Sequence, residues 1–507
     1  MSEPVSTEPY FRSDLLKADL GRRTARSGVV TLFTQSIKFL LSISGTIILS
    51  RLLTPEDYGL VGMVAVVTGF VLMFKDLGLS SATVQREEIN AGQISTLFWV
   101  NVWLSVGVML VTASLSPLVS WFYGEPRLTR ITIGLSIGFL FGGLTVQHEA
   151  LLRRTMRFMV LAIAEVSSLI LGILVGVGLA WKGTGYWALV GSQLAQGISY
   201  AVLIWLFCKW RPGLPVRNSG VRTMLAFGRN LTGFSILNYF ARNIDNMLVG
   251  RFWGSGQLGL YARAYQLLIL PIDQINAPLT AVAVPALSRL ADAPERYRMA
   301  YLRLLDKVAL LTMPLMAFMV VTSDWVVLLL LGPKWLAVSR IFSLLGISGI
   351  VQPICNTSGW LFISQDRTRH LLQWGLIGPM IVIVSILVGL PWGAVGVAAS
   401  YSLTFTFVIT PLLFWFVCRE GPVSVADIYR TIAPSLCAAF AVFGGVLAFR
   451  QFSTLSQPLL RISIALVIAI VITIVVLALL PSSRRSLLDL KNVLRLIIRR
   501  EEPSAAM

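Results

Sequence analysis

The chain has 507 residues, 56% of them hydrophobic and only 13% charged, with a mean hydropathy of +0.77. A soluble domain of this length needs far more charge to cover its surface, so composition excludes an ordinary globular fold and indicates a polytopic membrane protein. The net charge of +18 lies mostly in short loops beside apolar segments, so it reports topology and does not call for nucleic acid as a partner.

A span of the hydrocarbon core takes roughly 20 mostly apolar residues. Fourteen such segments begin near residues 26, 58, 93, 129, 159, 184, 226, 259, 306, 336, 369, 392, 430 and 459. The first 25 residues are polar and basic, so no cleaved signal peptide is expected. The first span, about Arg26 to Ser50, carries Gln35, Lys38 and Ser42 on one stripe. The seventh, about Phe227 to Gly250, carries Ser235, Asn238, Arg242 and Asp245 on one stripe. A charge inside a membrane helix costs about 2.5–3.5 kcal/mol even on lenient insertion scales, so it normally faces a cavity or a partner.

Both spans exit through related loops, Arg51-Leu-Leu-Thr-Pro-Glu-Asp-Tyr-Gly59-Leu60 and Arg251-Phe-Trp-Gly-Ser-Gly-Gln-Leu-Gly259-Leu260. The repeat continues. Gly185 opens the sixth span and Gly393 the twelfth, and basic turns follow the fourth (Arg153, Arg154, Arg157) and the tenth (Arg367, Arg369). An even number of spans per repeat keeps the two copies parallel. The expected fold is all-α and polytopic. It has 14 transmembrane helices, in two six-helix bundles related by a pseudo-two-fold along the membrane normal, plus two C-terminal helices. The expected boundaries are an N-terminal bundle at 1–207, a basic cytoplasmic linker at 208–225 and a C-terminal bundle at 226–418. Accessory helices 13 and 14 follow at 419–480, then a basic amphipathic tail at 481–507. Leu487, Leu490, Leu494 and Ile497 oppose Lys491, Arg495 and Arg499 there, which suits either a leaflet-bound helix or a solvated charged tail.

With the N-terminus inside, 29 lysines and arginines fall on the cytoplasmic face and 8 on the other. That bias places both termini in the cytoplasm. Cys208, Cys355, Cys418 and Cys437 show no metal-ligand spacing, so neither a metal site nor a disulfide framework is expected.

Several motifs together resemble one family. Leu53-Thr-Pro-Glu-Asp-Tyr-Gly59 is similar to the signature loop of the multidrug/oligosaccharidyl-lipid/polysaccharide exporter superfamily. Asp76–Gln85, Leu151-Leu-Arg-Arg-Thr-Met-Arg-Phe158, Trp210-Arg-Pro, Arg242–Arg251 and Leu258–Tyr265 resemble its polysaccharide branch. The resemblance spans roughly residues 20–420. It implies a Wzx-type flippase of the bacterial inner membrane, carrying undecaprenyl-diphosphate-linked oligosaccharide outward for exopolysaccharide, O-antigen or capsule. It also implies membrane lipids, a polysaccharide polymerase and export machinery as partners.

The residues fit that substrate. A cation 4 Å from a diphosphate, at an effective dielectric of about 20, offers roughly 4 kcal/mol before desolvation. Lys38 and Arg242 are expected to meet the head group from opposite walls of a cationic cavity. Gln35, Asn238, Ser235 and Arg263 are the other expected cavity residues. Asp245, three residues after Arg242, shares its helix face, so a self-neutralising bridge is the alternative for that pair. Arg263 and Arg340 also suit snorkelling to the membrane surface. Asp245, Glu165 and Asp273 are candidates for proton or sodium coupling, and helix-packing hydrogen bonds account for each of them too. His148-Glu149 and His370 stand at corresponding inner ends as possible pH sensors. No Walker loop is present and no cofactor is expected. Two rival readings stay open: a multidrug or cation exporter of the same superfamily, or a membrane polysaccharide polymerase or ligase. The cationic spans count against the first. The short outer loops, poor in carboxylates, count against the second and lead to the expectation that the chain is not an enzyme.

Overall fold

The computed structural model describes residues 20–72, 83, 89–216, 221–453 and 457–480, with side chains described for all of these except 20–27, 221–238, 240 and 241. The expected basic amphipathic tail at 481–507 and most of the Asp76–Gln85 motif lie outside the described residues. Among the described residues every regular element is a helix, and twelve helical stretches are long and apolar enough to cross a membrane. The chain is a multi-pass, all-helical membrane protein.

Two of the twelve are too long for one crossing. Arg242–Ser288 has 47 residues and Thr368–Cys418 has 51. At 1.5 Å per residue they extend about 70 Å and more, over twice the ~30 Å hydrocarbon core. Both break at a glycine, Gly254 (φ 77°, ψ 179°) and Gly393 (φ 71°, ψ −160°). A Cβ makes that backbone region prohibitive, so only glycine occupies it readily. The expected span boundaries fall close to these two breaks.

The chain divides into compact units at residues 1–259 and 260–507. The first unit holds α1 (Leu20–Leu52), α2 (Pro55–Leu72), α3 (Ala91–Tyr123), α4 (Arg127–Arg154), α5 (Phe158–Trp181) and α6 (Trp187–Phe207). It also takes the first part of α7 (Val221–Ser288). Local contacts hold that part of α7 in the first unit. The Tyr239 hydroxyl on α7 donates to the Val66 carbonyl of α2 at 2.7 Å. A Cβ on Gly59 would lie 1.7 Å from the Ser255 carbonyl oxygen, and one on Gly259 would lie 1.9 Å from that of Pro55. The two contacts are reciprocal: Pro55 and Gly59 stand to Ser255 and Gly259 as the repeated loops predict. Backbones approach this closely only where side chains are absent.

The linker itself is docked. Trp210 is 2% exposed and packs beside Phe98, while Gly213 N donates to Ser95 Oγ and Trp99 Nε1 to the Gly213 carbonyl. α3 begins in a capping box, with Asn90 and Gln93 bonding each other's backbone N–H, and ends at Gly124 in the left-handed region. α5 and α6 meet along Gly172 and Gly176, where added Cβ atoms would come within 2.9 Å of Gln196 and Ser192. This is a small-xxx-small seam, the usual means of close helix approach in lipid.

The second unit holds the rest of α7 with α8 (Pro294–Val321), α9 (Ser323–Leu330), α10 (Val338–Ser364), α11 (Thr368–Gly389), α12 (Gly393–Thr404), α13 (Thr410–Cys418), α14 (Val425–Phe452) and α15 (Pro458–Leu479). α8 is its axis, packed against α10, α14 and α15. The accessory helices α14 and α15 contribute Ile432, Val442, Ala465 and Ala469 to the same core as Leu305 and Met313. Ion pairs pin α14 at both ends, Asp427 to Arg298 of α8 and Arg450 to Asp324 of α9.

The repeat is also visible in the turns. Met156 (φ 55°) and Asp366 (φ 54°) are the only non-glycine residues with positive φ among the described residues. Each sits between a helix end and an arginine: Arg157 N bonds the Leu152 carbonyl and Arg367 N the Phe362 carbonyl. Both are the same helix-terminating motif, with a left-handed residue after the last turn.

Candidate functional site

α1 carries its polar residues as the period of the sequence requires, and it packs along α5. Lys38 Nζ lies 2.6 Å from Glu165 Oε2 of α5, with the two side chains 32% and 25% exposed. An expected cavity cation and an expected coupling carboxylate are thus partners, a link that sequence separation hid. Gln35 and Ser42 are exposed on the same helix.

From this pair a line of ionisable groups crosses the first unit. Tyr200 on α6 lies within electrostatic reach of Glu149 of α4, of Glu165 and of Arg153. Arg153 in turn bridges Glu149 at 2.6 Å, one helical turn apart. Lys38, Glu165, Tyr200, Glu149 and Arg153 come from four helices and alternate donor with acceptor. The i,i+4 spacing of Glu149 and Arg153 was readable in the sequence. Tyr200 carried no signal, because its role depends on which face α6 turns to α4.

Arg242 is exposed, and no ion pair holds it among the described residues, so the alternative bridge to Asp245 is not formed. Asp245 is half-buried, and its Oδ1 accepts from Asn246 N at 2.8 Å. Ser235 and Asn238 lie on α7, but their side chains are outside the described set. In the second unit, Arg263 donates to Gln266 Oε1, and Gln266 and Asp273 line one cavity of about 340 Å³. Their 263, 266, 273 spacing keeps them on one face of α7. Arg340 is exposed.

The histidines separate. His148 is fully buried in an aromatic cage, stacked on Trp205 at 4.5 Å with Trp210 at 5.1 Å and Phe98 at 5.7 Å. Among the described residues no carboxylate pairs with its ring, so the residue packs the linker against α4 and α6. His370 keeps a carboxylate neighbour, Glu420, at 3.4 Å.

A family model described as polysaccharide biosynthesis protein matches residues 48–340. The lipopolysaccharide biosynthesis protein WzxC of Escherichia coli (strain K12) is 27% identical over 400 residues, 78% of this chain and 80% of that one. The succinoglycan biosynthesis transport protein ExoT of Rhizobium meliloti (strain 1021) is 25% identical over 334 residues, 65% of this chain and 67% of that one. Among solved structures, the lipid II flippase MurJ in an inward closed conformation superposes with a TM-score of 0.70 at 15% identity, covering 89% of this chain and 98% of that one. At that identity the likeness is one of fold.

Proposed function

The chain belongs to the polysaccharide biosynthesis protein family, and from that premise we propose that it is a flippase for lipid-diphosphate-linked oligosaccharides. It would serve polysaccharide assembly in the bacterial inner membrane, with both termini cytoplasmic. The topology reading is fourteen crossings, with the stretches broken at Gly254 and Gly393 each crossing twice. The names of the relatives WzxC and ExoT, one for lipopolysaccharide biosynthesis and one for succinoglycan transport, support this reading.

The observation that carries it is the Lys38–Glu165 pair within otherwise apolar helices. A lysine neutralised by a carboxylate is a poor anion site. When the carboxylate takes a proton, the ammonium is released to a diphosphate, which Lys binds as a compact point charge. Proton and lipid diphosphate would then favour each other's binding at one pair, and that linkage couples their movements. Arg242, which no ion pair holds among the described residues, is the second proposed head-group ligand, and Asp245 and Asp273 are further proposed coupling groups. Gln35, Ser235, Asn238 and Arg263 stay on the proposed pathway as hydrogen-bonding groups.

Two measurements test this. Reconstituted protein should move a labelled lipid-linked oligosaccharide between leaflets, and a strain lacking the gene should regain polymer when it is supplied. Lys38→Ala should lower polymer at least tenfold while the protein still inserts. Glu165→Gln should keep substrate binding and lose the dependence of transport on a proton gradient. Transport of an organic cation with no movement of the lipid-linked sugar would return the drug-exporter reading.

A further inference from the structure

At the Tyr123 end of α3 the first unit has an apolar hollow of about 270 Å³, bounded by α2, α3 and α7. Val67 and Phe70 of α2, Val119 and Phe122 of α3, and Met247 of α7 line it. Tyr123 also lines it, is 7% exposed, and its hydroxyl has no hydrogen-bond partner among the described residues. Arg251 lies one helical turn beyond Met247, on the same face of α7, and its guanidinium stands 5.9 Å from the centre of the Phe122 ring. Arg251 is exposed, and no carboxylate pairs with it among the described residues. The nearby arginine Arg127, in contrast, is held by Glu56 and Glu125.

Apolar walls thus stand beside a cation that no carboxylate pairs with among the described residues, at the end of a membrane helix. A neutral lipid has no use for the cation, and a soluble anion has no use for the walls. The two together fit an amphiphile with an anionic head. We propose that this hollow seats the isoprenoid segment next to the head group of a lipid diphosphate, with Arg251 holding the diphosphate. The site rests on the flippase reading and deepens it. On the proposed topology it lies in the outer leaflet, apart from Lys38, where a translocated lipid is held before release. Arg251 binds the diphosphate through its planar fork, and the aromatic face beneath it fixes the guanidinium plane.

The test uses the full chain in phosphatidylcholine nanodiscs with a diazirine-bearing polyprenyl diphosphate. Labelling is expected on residues 115–123 of α3 and around Met247 of α7. Excess undecaprenyl diphosphate should compete and phosphatidylglycerol should not. At subsaturating probe, Arg251→Ala should cut labelling about tenfold, the factor of a single lost charge-assisted contact. Val67→Trp, which fills the hollow, should do the same with the protein still monodisperse. Equal competition by phosphatidylglycerol, labelling confined to other helices, or labelling unchanged in both variants overturns the site. The wild-type chain is scored separately for polymer. Restored polymer without this labelling sinks the site alone, whereas failure to restore polymer sinks the flippase reading whatever the labelling.

Discussion

Glycines at two neighbouring positions do different work. A Cβ at Gly254 meets nothing within 4 Å, yet its φ of 77° strains any L side chain. Gly59 has an ordinary backbone, yet its Cβ would fall 1.7 Å from the Ser255 oxygen. Gly254→Ala should therefore cost about 1–3 kcal/mol through backbone strain, and Gly59→Ala a similar amount through overpacking. Ser255→Gly cannot rescue Gly59→Ala, because the clash is with backbone. Rescue of its thermal stability by that second change would refute the close approach. At the same end of the helices, Arg127 donates to both Glu125 and Glu56. Its hydrogen bond holds the Glu125 carboxyl below its ordinary value of 4.5. The folded state then binds this proton less readily than the unfolded one. The pair's contribution is full above pH 4.5 and fades as pH falls through the lower folded value. Arg127 is exposed and Glu125 only partly buried at the surface, so the contribution is only a few tenths of a kcal/mol. Thermal melts of Glu125→Gln and the parent should differ near neutral pH and converge in acid.

The elements differ in how far their sequences announced them. Apolar length marked the spans, whereas the Asn90–Gln93 capping box at the start of α3 and the Gly172–Gly176 packing seam emerged only with the structure. The docking of the linker was not legible. That segment was expected only as a basic cytoplasmic linker, whereas Trp210 anchors it among Phe98, Leu97 and Ile204. Trp210→Ala should cost about 3–5 kcal/mol, as truncation of a buried tryptophan does. It should also expose the Cys208 thiol, which is fully buried, to a water-soluble maleimide. Slow labelling of Cys208 in that variant would argue that the linker stays docked by its backbone bonds to Ser95 and Thr96. The accessory helices were read as an appendage, and the Arg298–Asp427 and Arg450–Asp324 pairs bind them into the core of the second unit. Those pairs join residues more than a hundred positions apart, a distance across which a single sequence carries no pairing signal.

For the whole molecule, Arg242→Ala should abolish polymer export while the protein still accumulates in the membrane. Wild-type polymer from that variant would remove Arg242 from the pathway. Cysteine introduced at Lys334 should be labelled from outside intact cells, and cysteine at Arg157 only after permeabilisation. The sequence by itself determined the helical membrane class, the repeat and the pair of spans carrying charge. Hydropathy, glycine placement and positive charge in loops are local properties, and the bilayer selects on them segment by segment. Tertiary structure decided the rest. It paired Lys38 with Glu165, left Arg242 without its bridge to Asp245, caged His148 in indole rings and set Arg251 over an apolar hollow. Each of those outcomes depends on the rotation of one helix against another. That rotation is fixed by close packing between distant residues, not by the composition of either helix.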